Sequence, residues 1–446
     1  MGPYRSLYGE DDVIAIAVAG LPLAIWVYLL LGRGQFWRTS PQLEAASSES
    51  AAASLEESEL EESDSEDPGP IPPRSLPTVQ VVIPARDEAD MLSHSLPSLL
   101  NQDYAGDLSI LLVDDHSTDN TAAAARAIAR RTTTPLEVLS AKPLPPGWTG
   151  KLWALQQGTT HALTTPSAAG KPDYLLLTDA DIRHSPQSVR QLVALAEQRQ
   201  LQMASVMVRL RCESRWEQLL IPAFVFFFQK LYPFRWSNSP YRATAAGAGG
   251  CVLLRPEALQ RIGGIAAIRQ ALIDDCALAA AVKHTQADLP PFYPIWIGLS
   301  DRICSLRPYP TLKSIWDMVA RTAYTQLRYS PLLLLGSVSG MVVVYLVPPM
   351  SFLFGLFSGR GWVALLGLLG WLAMSAAYWP IVRFYRCASG FAFALPAIAS
   401  LYTLMTLDSA RRHIRGQGGA WKGRTYPSGR SRGASGGSDS KATAKP

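Results

Sequence analysis

Four apolar runs constrain the fold of this chain because they decide which segments lipid can surround. Val13 to Gly32 has roughly the 20 residues needed to cross a bilayer core. Three further runs, residues 332–357, 362–381 and 391–407, follow one another near the carboxyl end. The sequence therefore predicts a membrane protein whose spans flank a long middle region. Residues 219–234 are apolar but too short to span, which favours a segment in the membrane plane, with a buried helix as the alternative.

The charges beside the first run predict its orientation. Glu10, Asp11 and Asp12 precede it, whereas Arg33 and Arg38 follow it. Because basic residues favour the cytoplasmic side, this pattern places the amino terminus outside and the middle region in the cytoplasm. A signal peptide is less consistent with the sequence, since no basic region precedes the apolar run. We therefore expect a multi-pass protein of the cell membrane with a cytoplasmic middle region.

The last apolar run leaves the topology open. Three spans after a cytoplasmic region would place Arg411 and Arg412 outside, against the preference of basic residues for the cytoplasm. Either the last run is re-entrant or the preference is overridden, and the sequence is consistent with both.

Composition divides the chain into six segments. Residues 44–67 contain ten acidic residues and no Lys or Arg, and too little apolar surface to offset the entropy of ordering. Neither this stretch nor the basic carboxyl end has zinc-ligand spacing or interleaved basic and aromatic residues, so we expect no nucleic-acid partner. The predicted segments are an anchor (1–34), a disordered acidic and Pro-rich linker (35–75), an α/β domain (76–310), an amphipathic helix at the membrane surface (311–330), carboxyl-terminal spans (331–410) and a basic disordered tail (411–446).

The middle region alternates short apolar strands with helical stretches. Predicted strands cover residues 79–84, 108–113, 174–178 and 203–210, and helices are predicted between them. This alternation predicts a mostly parallel sheet with helices on both faces. In such sheets the functional site lies outside the carboxyl ends of the strands.

Acidic residues follow these predicted strands. Glu88 comes after the first, Asp115 after the second, and Asp179 and Asp181 directly after the strand at 174–178. Two hard oxygen ligands at a strand's carboxyl end are what a divalent cation bridging a diphosphate requires. The Asp-x-Asp motif alone is short, so an acidic turn without a ligand is equally consistent with it.

Further motifs accompany these carboxylates. They are Pro84-Ala85-Arg86-Asp87-Glu88, Gly150-Lys151, the Gly-rich stretch 246–251, Asp274-Asp275 and Gln326-Leu327-Arg328-Tyr329. In this combination the chain resembles a membrane-bound family 2 glycosyltransferase with the GT-A fold, a Rossmann-like α/β domain. More narrowly, residues 147–154 and 321–330 resemble the bacterial hopene-associated glycosyltransferases. The resemblance extends from about residue 10 to about residue 410, with the acidic linker as an insertion.

The resemblance implies roles on the donor side. The implied nucleotide-binding residues are Pro84, Ala85, Glu88, Asp115, Lys151 and Asp179. Glu88 and Asp115 can accept hydrogen bonds from uracil and ribose, and Lys151 supplies a point charge suited to a diphosphate. Asp179 and Asp181 would hold Mg²⁺ or Mn²⁺, which neutralises charge on the leaving nucleotide diphosphate.

On the acceptor side, the resemblance implies a general base. The family carries it in a Glu-Asp pair; here the pair is Asp274-Asp275, so Asp275 corresponds to the base and Asp274 to its neighbour. Gln326, Arg328 and Tyr329 depart from the Gln-x-x-Arg-Trp motif of processive synthases, because the Gln is one position closer. They are expected near the diphosphate and the acceptor.

The implied activity is inverting transfer of a sugar from a nucleotide diphosphate, expected to be UDP, to a membrane lipid such as a hopanoid. The implied partners are the nucleotide-sugar donor, the lipid acceptor and the bilayer. Two alternatives stay open: a processive polysaccharide synthase, and a non-catalytic, membrane-tethered nucleotide-binding scaffold.

Overall fold

The computed structural model describes residues 10–48, 76–165, 170–285 and 294–416, with the backbone of residues 420–421 and 424–425. Most of the predicted acidic linker and most of the basic tail therefore lie outside the described residues. The described part combines a mixed α/β domain with a set of long apolar helices.

The α/β domain is built on one eight-stranded sheet with the strand order β3-β2-β1-β4-β7-β6-β8-β5. The strands are β1 (Val79–Ala85), β2 (Leu108–Asp114), β3 (Leu136–Ser140), β4 (Tyr174–Thr178), β5 (Ile182–Arg183), β6 (Met203–Arg209), β7 (Cys251–Leu254) and β8 (Ile295–Ser305). A separate short pair, β9 (Ala420–Trp421) and β10 (Arg424–Thr425), is antiparallel.

The predicted mostly parallel sheet is confirmed, because six of its eight strands run in one direction and β7 and β5 run in the other. Strands β3, β2, β1 and β4 are parallel, whereas β7 is antiparallel to both β4 and β6, and β5 is antiparallel to β8. Cys251, the first residue of β7, pairs with Thr178, the last residue of β4. The chain thus re-enters the sheet at the carboxyl edge of β4 instead of crossing over to the opposite edge, and this entry reverses the strand.

Helices cover the sheet and continue into the apolar part of the chain. They are α1 (Glu10–Gly32), α2 (43–48), α3 (Ala89–Leu100), α4 (Thr121–Ala129), α5 (Gly150–Thr164), α6 (Ser188–Gln198), α7 (Arg215–Leu231), α8 (Phe234–Ser237), α9 (Pro256–Arg261), α10 (Asp274–His284), α11 (Leu312–Ala320), α12 (Ala323–Gln326), α13 (Pro331–Met341), α14 (Val347–Phe357), α15 (Gly361–Phe384) and α16 (Leu395–Ile414). A π-helical turn at Val342–Leu346 joins α13 to α14.

Strand β4 is apolar throughout because both of its faces are covered. Leu176 belongs to a core shared with α3 and α6, which contribute Leu96 and Leu192. Leu175 belongs to a second core on the opposite face, shared with Leu152 of α5. Since successive side chains of a strand point to opposite faces, a continuous apolar run is the pattern that a doubly covered strand requires.

The linker predicted at 35–75 is ordered at its beginning. Leu43 of α2 is fully buried in the core, and Gln42 pairs with Leu299 of β8 in a short parallel bridge. The Ser300 hydroxyl donates to Glu44 Oε1 at 2.5 Å. The prediction of disorder is therefore wrong for residues 35–48, because Phe36 and the apolar surface of α2 are buried. Residues 49–75 lie outside the described part.

Helix α7 contains most of the apolar stretch at 219–234, and it is buried. Leu220 is fully buried, and the Phe226 ring packs 5.3 Å from that of Phe36 and 5.2 Å from that of Tyr378 in α15. Met207 of the sheet belongs to the same apolar cluster. The buried-helix alternative is thus the correct one, and α7 connects the α/β domain to the apolar helices.

Within the part of the chain that the structure describes, four helices are long and apolar enough to cross a membrane: Asp11–Gly32, Pro331–Phe357, Gly361–Phe384 and Ser389–Ile414. Small residues let them approach closely, as apolar helices in lipid require. A Cβ atom on Gly367 of α15 would lie 2.4 Å from the backbone nitrogen of Phe352 in α14. Helix α1 packs on the same group, where Trp26 Nε1 donates to the Val344 carbonyl at 2.9 Å.

The last apolar run, residues 391–407, enters and leaves the set of apolar helices on the side of the α/β domain. Before it, the Tyr385 carbonyl accepts a hydrogen bond from Arg209 of β6 at 3.3 Å. Within it, the Phe393 carbonyl accepts from Trp371, which lies midway along α15, at 3.2 Å. At its end, Arg412 forms a 2.8 Å ion pair with Asp317 of α11. These contacts favour the re-entrant alternative, and α16 also incorporates residues 411–414 of the tail that was predicted to be disordered.

A cysteine-labelling experiment tests this arrangement. In vesicles of fixed orientation, a membrane-impermeant maleimide should label Arg415→Cys from the same side as Arg130→Cys, directly after α4. It should label Ser358→Cys, in the loop after α14, from the opposite side. Labelling is compared with the background of the unsubstituted chain. If Arg415→Cys and Ser358→Cys react from the same side, the last run crosses the membrane and the re-entrant arrangement is wrong.

Candidate active site

The carboxylates predicted at the strand ends come together at one edge of the sheet. Glu88 precedes α3 directly after β1, Asp115 follows β2, and Asp179 and Asp181 follow β4. Glu88, Asp115 and Asp181 are almost completely buried, with 6%, 1% and 7% of their surface exposed. Charged side chains that are buried this deeply require ion pairs or hydrogen bonds to compensate for lost hydration.

The last residues of β1 lie at this edge of the sheet, next to the carboxylates. The Ala85 carbonyl accepts a hydrogen bond from the Asp115 backbone N–H at 2.8 Å. Pro84 lines a cavity together with Thr178, Gly249 and several apolar side chains. The same cavity is bordered by Lys151, Asp179, Asp274 and Asp275. Of the predicted site residues, Pro84, Lys151, Asp179, Asp274 and Asp275 line this cavity. Its lining does not include Ala85, Glu88, Asp115, Asp181, Gln326, Arg328 or Tyr329.

Lys151 connects the two predicted pairs of carboxylates. Its Nζ lies 2.8 Å from Asp179 Oδ1 and 3.5 Å from Asp274 Oδ2. It stands in the first turn of α5, which Thr149 begins by accepting a hydrogen bond from the Leu152 N–H at 3.4 Å. Burial alone would lower the pKa of Lys151, but Asp179 and Asp274 outweigh burial and raise that pKa above its usual range. The lysine is therefore a fixed positive charge.

The pKa of Asp179 is raised. Burial is the largest cause, and repulsion by Asp181 adds to it, whereas Lys151 acts in the opposite direction. A carboxylate in this situation gains from any additional positive charge that approaches it.

Asp274 and Asp275 begin α10. The Gly249 N–H donates to Asp275 Oδ2 at 3.0 Å, and the Cys276 N–H donates to Asp275 Oδ1 at 2.8 Å. Burial raises the pKa of Asp275 to about 6, and repulsion by Asp274 adds to the effect. The two backbone donors fix the orientation of this carboxylate, and its pKa makes it a proton acceptor close to neutral pH.

The Gly-rich stretch is explained by close packing against α10 and Lys151. A Cβ atom on Gly247 would lie 2.6 Å from the Asp275 backbone oxygen. A Cβ atom on Gly249 would lie 3.2 Å from Lys151 Nζ. The absence of side chains at these positions lets the backbone reach the carboxylate of Asp275.

Arg307 was not predicted from the sequence, yet it joins two of the predicted carboxylates. Its Nη2 lies 2.6 Å from Glu88 Oε1, and its Nε lies 3.3 Å from Asp181 Oδ2. It follows β8 by two residues, as the acidic residues follow β1, β2 and β4. No local pattern marks it, because β8 contains Asp301 and Arg302 and is therefore not an apolar run that ends at a charged residue.

Gln326, Arg328 and Tyr329 lie between the α/β domain and the apolar helices. Gln326 Oε1 accepts a hydrogen bond from the Tyr232 hydroxyl at 2.8 Å. The Tyr329 ring is stacked on His413 of α16 with the ring centroids 4.2 Å apart. Arg328 and Tyr329 both adopt positive φ angles, 50° and 57°, which side chains rarely tolerate. Tyr329 thus packs on the last apolar helix.

Among the described groups discussed above, the carboxylates at this edge outnumber the cations that pair with them by six to three. The carboxylates are Glu88, Asp115, Asp179, Asp181, Asp274 and Asp275, and the cations are Arg86, Lys151 and Arg307. The excess of negative charge favours a further cation. The hard oxygen atoms of Asp179 and Asp181 fit Mg²⁺ or Mn²⁺, which keep water and phosphate oxygens as further ligands. Within the described ranges, no group of three or more His, Cys, Asp or Glu side chains is arranged as a metal site.

Fold and site together define the class of protein: a Rossmann-like α/β domain with an acidic site at its carboxyl edge, joined to long apolar helices. Residues 80–263 match the family model described as Glycosyl transferase family 2. This part of the chain is therefore similar to the glycosyltransferases of that family, and the predicted GT-A fold class is confirmed.

Curated relatives match a short part of the chain. The 4,4'-diaponeurosporenoate glycosyltransferase of Staphylococcus aureus strain MRSA252 is 33% identical over 97 residues, which cover 22% of this chain and 24% of that protein. The protein of that name from strain bovine RF122 / ET3-1 is 32% identical over 100 residues, which cover 22% and 25%. The chain thus spans about a quarter of the length of the curated relatives it matches.

Two solved structures were also found to be similar. Mannosyltransferase PcManGT from Pyrobaculum calidifontis, in complex with GDP-Man and Mn²⁺, has 20% identity, covers 90% of this chain and 97% of its own, and gives a TM-score of 0.47. Glucosyl-3-phosphoglycerate synthase from Mycobacterium tuberculosis, in complex with Mn²⁺ and UDP-glucose, has 18% identity, covers 59% and 84%, and gives a TM-score of 0.35.

The close packing of Gly247 predicts a large effect on stability. Gly247→Ala should lower the free energy of unfolding by about 1–3 kcal/mol, the usual cost of overpacking, because the start of α10 has to move. Gly336→Ala in α13 is the control, since a Cβ atom there would meet nothing within 4 Å. Thermal unfolding in detergent measures both variants. Equal unfolding midpoints for Gly247→Ala and the unsubstituted chain would contradict the packing argument.

Proposed function

We propose that this chain is an inverting glycosyltransferase that moves a sugar from a nucleotide diphosphate to a hydroxyl group of a membrane lipid. The observation that carries the proposal is the position of Lys151 between Asp179 and Asp274. One positive charge thereby joins a pair of carboxylates suited to the leaving diphosphate to a pair suited to the acceptor. A site for nucleotide binding alone would not need the second pair.

On the donor side, Glu88 and Asp115 are proposed to accept hydrogen bonds from the nucleoside, with Pro84 and Ala85 beneath them. UDP is the proposed nucleotide. Lys151 is proposed to bind the diphosphate, for which its compact charge is suited.

Asp179 and Asp181 are proposed to hold Mg²⁺ or Mn²⁺. When bound, the cation supplies positive charge to the departing diphosphate and so acts as a Lewis acid. The surplus of carboxylates supports this assignment, because a donor diphosphate is itself negative and would otherwise be repelled from this edge.

Asp275 is proposed to accept the proton of the acceptor hydroxyl during a single in-line displacement at the anomeric carbon. The new glycosidic bond forms as the bond to the diphosphate breaks, so the configuration inverts. With a pKa of about 6, the carboxyl group is mostly ionised above that pH and able to accept a proton. Asp274 supports this role because its charge raises the pKa of Asp275.

The acceptor is proposed to be an apolar lipid of the kind to which the hopanoids belong. Buried helix α7 and the apolar helices share one hydrophobic cluster with the domain that carries the site, which supports an acceptor that is presented by the membrane. The curated relatives are named for the glycosylation of diaponeurosporenoate, which is consistent with a hydrophobic acceptor but does not specify this one. We propose that the protein spans the cell membrane several times with this domain in the cytoplasm, and that Gln326, Arg328 and Tyr329 border the acceptor side.

The alternatives are less consistent with these observations. A processive polysaccharide synthase would be expected to use its Gln-x-x-Arg-Trp aromatic residue in the site, whereas Tyr329 stacks on His413. A non-catalytic scaffold would have no need for an oriented carboxylate with a raised pKa at Asp275.

The proposal is tested by the product. Membranes from cells that express the chain receive radiolabelled UDP-glucose, UDP-N-acetylglucosamine or GDP-mannose, and the lipids are extracted and analysed by mass spectrometry. We expect label in a lipid whose mass increases by one sugar residue. Asp275→Asn should reduce the rate by about 10²–10⁴-fold, the usual contribution of a general base. Asp103→Asn, which removes an exposed ion pair with Arg190, is the control and should retain activity.

Two results would contradict the proposal. A long polymer as the labelled product would indicate a processive synthase. Full function of Asp275→Asn in cells, with no labelled product from the unsubstituted chain, would indicate a scaffold.

A further inference from the structure

Arg307 lies between the carboxylates proposed for the two ends of the donor. Its guanidinium contacts Glu88, on the nucleoside side, at 2.6 Å, and Asp181, on the cation side, at 3.3 Å. The diphosphate of a donor joins the nucleoside to the cation, so it has to pass between these two carboxylates. Arg307 therefore occupies the stretch of the site that the diphosphate is expected to use.

The backbone holds Arg307 in this position from both sides. The Leu306 N–H donates to the Asp181 carbonyl at 2.9 Å, and the Tyr309 N–H donates to Glu217 Oε1 at 2.6 Å. Glu217 also caps the start of α7 together with Ser214. The segment is thus fixed one residue before and two residues after Arg307, while 32% of the Arg307 side-chain surface remains exposed.

The two contacts of Arg307 compensate buried charge. Glu88 and Asp181 keep only 7% and 9% of their side-chain surface exposed. Burial alone would lower the pKa of Arg307, but Asp181 and Glu88 outweigh burial and raise it. The planar guanidinium presents several N–H donors, so it can serve two carboxylates at once, and the same geometry suits the oxygen atoms of a phosphate.

A divalent cation on Asp181 would change this balance. Asp181 Oδ2 already accepts from the Ser305 hydroxyl at 2.8 Å and contacts Arg307. A cation sharing this carboxylate would weaken its attraction for the guanidinium and would repel the guanidinium directly. The nearest compensating charge would then be the diphosphate that arrives with the cation.

On the basis of the proposed function, we propose that Arg307 is a donor-positioning residue that exchanges partners. Without donor it neutralises Glu88 and Asp181. With the cation and nucleotide bound, it releases Asp181 to the cation and pairs with the diphosphate. Arg307 thus competes with the cation when nucleotide is absent and supports nucleotide binding when the cation is present.

A purely structural role for Arg307 predicts a different effect on the binding of the two ligands. If Arg307 only braces the loop after β8, its loss should disturb Glu88 and Asp181 together. Binding of the cation and of the nucleotide would then weaken in parallel. The opposite directions expected for the two ligands separate partner exchange from bracing.

The test uses the full chain in detergent and two binding measurements. Mn²⁺ binding without nucleotide is followed by electron paramagnetic resonance, and UDP binding at saturating Mn²⁺ by calorimetry, with GDP used if UDP does not bind. Arg307→Met should weaken nucleotide binding at least tenfold while Mn²⁺ binds as tightly as before or more tightly. Arg307→Lys keeps the positive charge but lacks the planar set of N–H donors of the guanidinium. It should weaken nucleotide binding about three- to tenfold.

Arg255→Met is the matched control. Arg255 forms a 2.7 Å ion pair with Glu197 and has a similar side-chain exposure of 23%, but it follows β7 at the opposite edge of the sheet. This variant should bind both ligands like the unsubstituted chain. Thermal unfolding midpoints establish that each variant is folded, and if Arg307→Met is not, Arg307→Lys decides by the same criterion.

The outcomes separate this inference from the proposed function. Unchanged nucleotide binding in the Arg307 variants, or parallel weakening of Mn²⁺ and nucleotide, overturns partner exchange and leaves the proposed function standing. If the unsubstituted chain binds neither UDP nor GDP in the presence of Mn²⁺, the proposed function fails and the inference fails with it.

Discussion

The contact of the Lys151 ammonium with Asp179 and Asp274 is the interaction on which the rest of the site depends. It brings the carboxyl end of β4 and the start of α10 to one point, although these elements are almost a hundred residues apart in sequence. The glycines before β7 make this approach possible, because a side chain at Gly247 would collide with the Asp275 backbone. Removing one partner of such a partly buried group leaves a charge that is only partly compensated, so these residues depend on one another.

The second feature that shapes the molecule is the continuity between the α/β domain and the apolar helices. Helix α7 is buried between them, and Arg412 of the last helix pairs with Asp317 of α11. The proposed acceptor side, with Gln326 bound to Tyr232, therefore lies where the two parts meet. A lipid acceptor would need no large movement of the domain to reach such a site from the membrane, which is the physical basis for preferring a lipid to a soluble acceptor.

The sequence was sufficient for the features that follow from local pattern. The strands that carry Glu88, Asp115 and Asp179, and the convergence of their carboxyl ends, follow from apolar runs ending in acidic residues. Features that depend on distant contacts were missed or left open. Arg307 belongs to no sequence motif, and its role is visible only because β8 places it beside Glu88. Helix α2 is ordered only because Leu43 is buried against a sheet whose strands come later in the chain. The antiparallel entry of β7 and the return of the last apolar run likewise depend on tertiary contacts that no local pattern records.

The most direct measurement of the central claim is an experimental structure of the full chain with UDP and Mn²⁺, with the metal identified by its anomalous scattering. We expect Mn²⁺ bound by Asp179 and Asp181, the diphosphate beside Lys151, and the nucleoside against Glu88 and Asp115. A nucleotide bound elsewhere, or Mn²⁺ with no contact to Asp179 or Asp181, would contradict it.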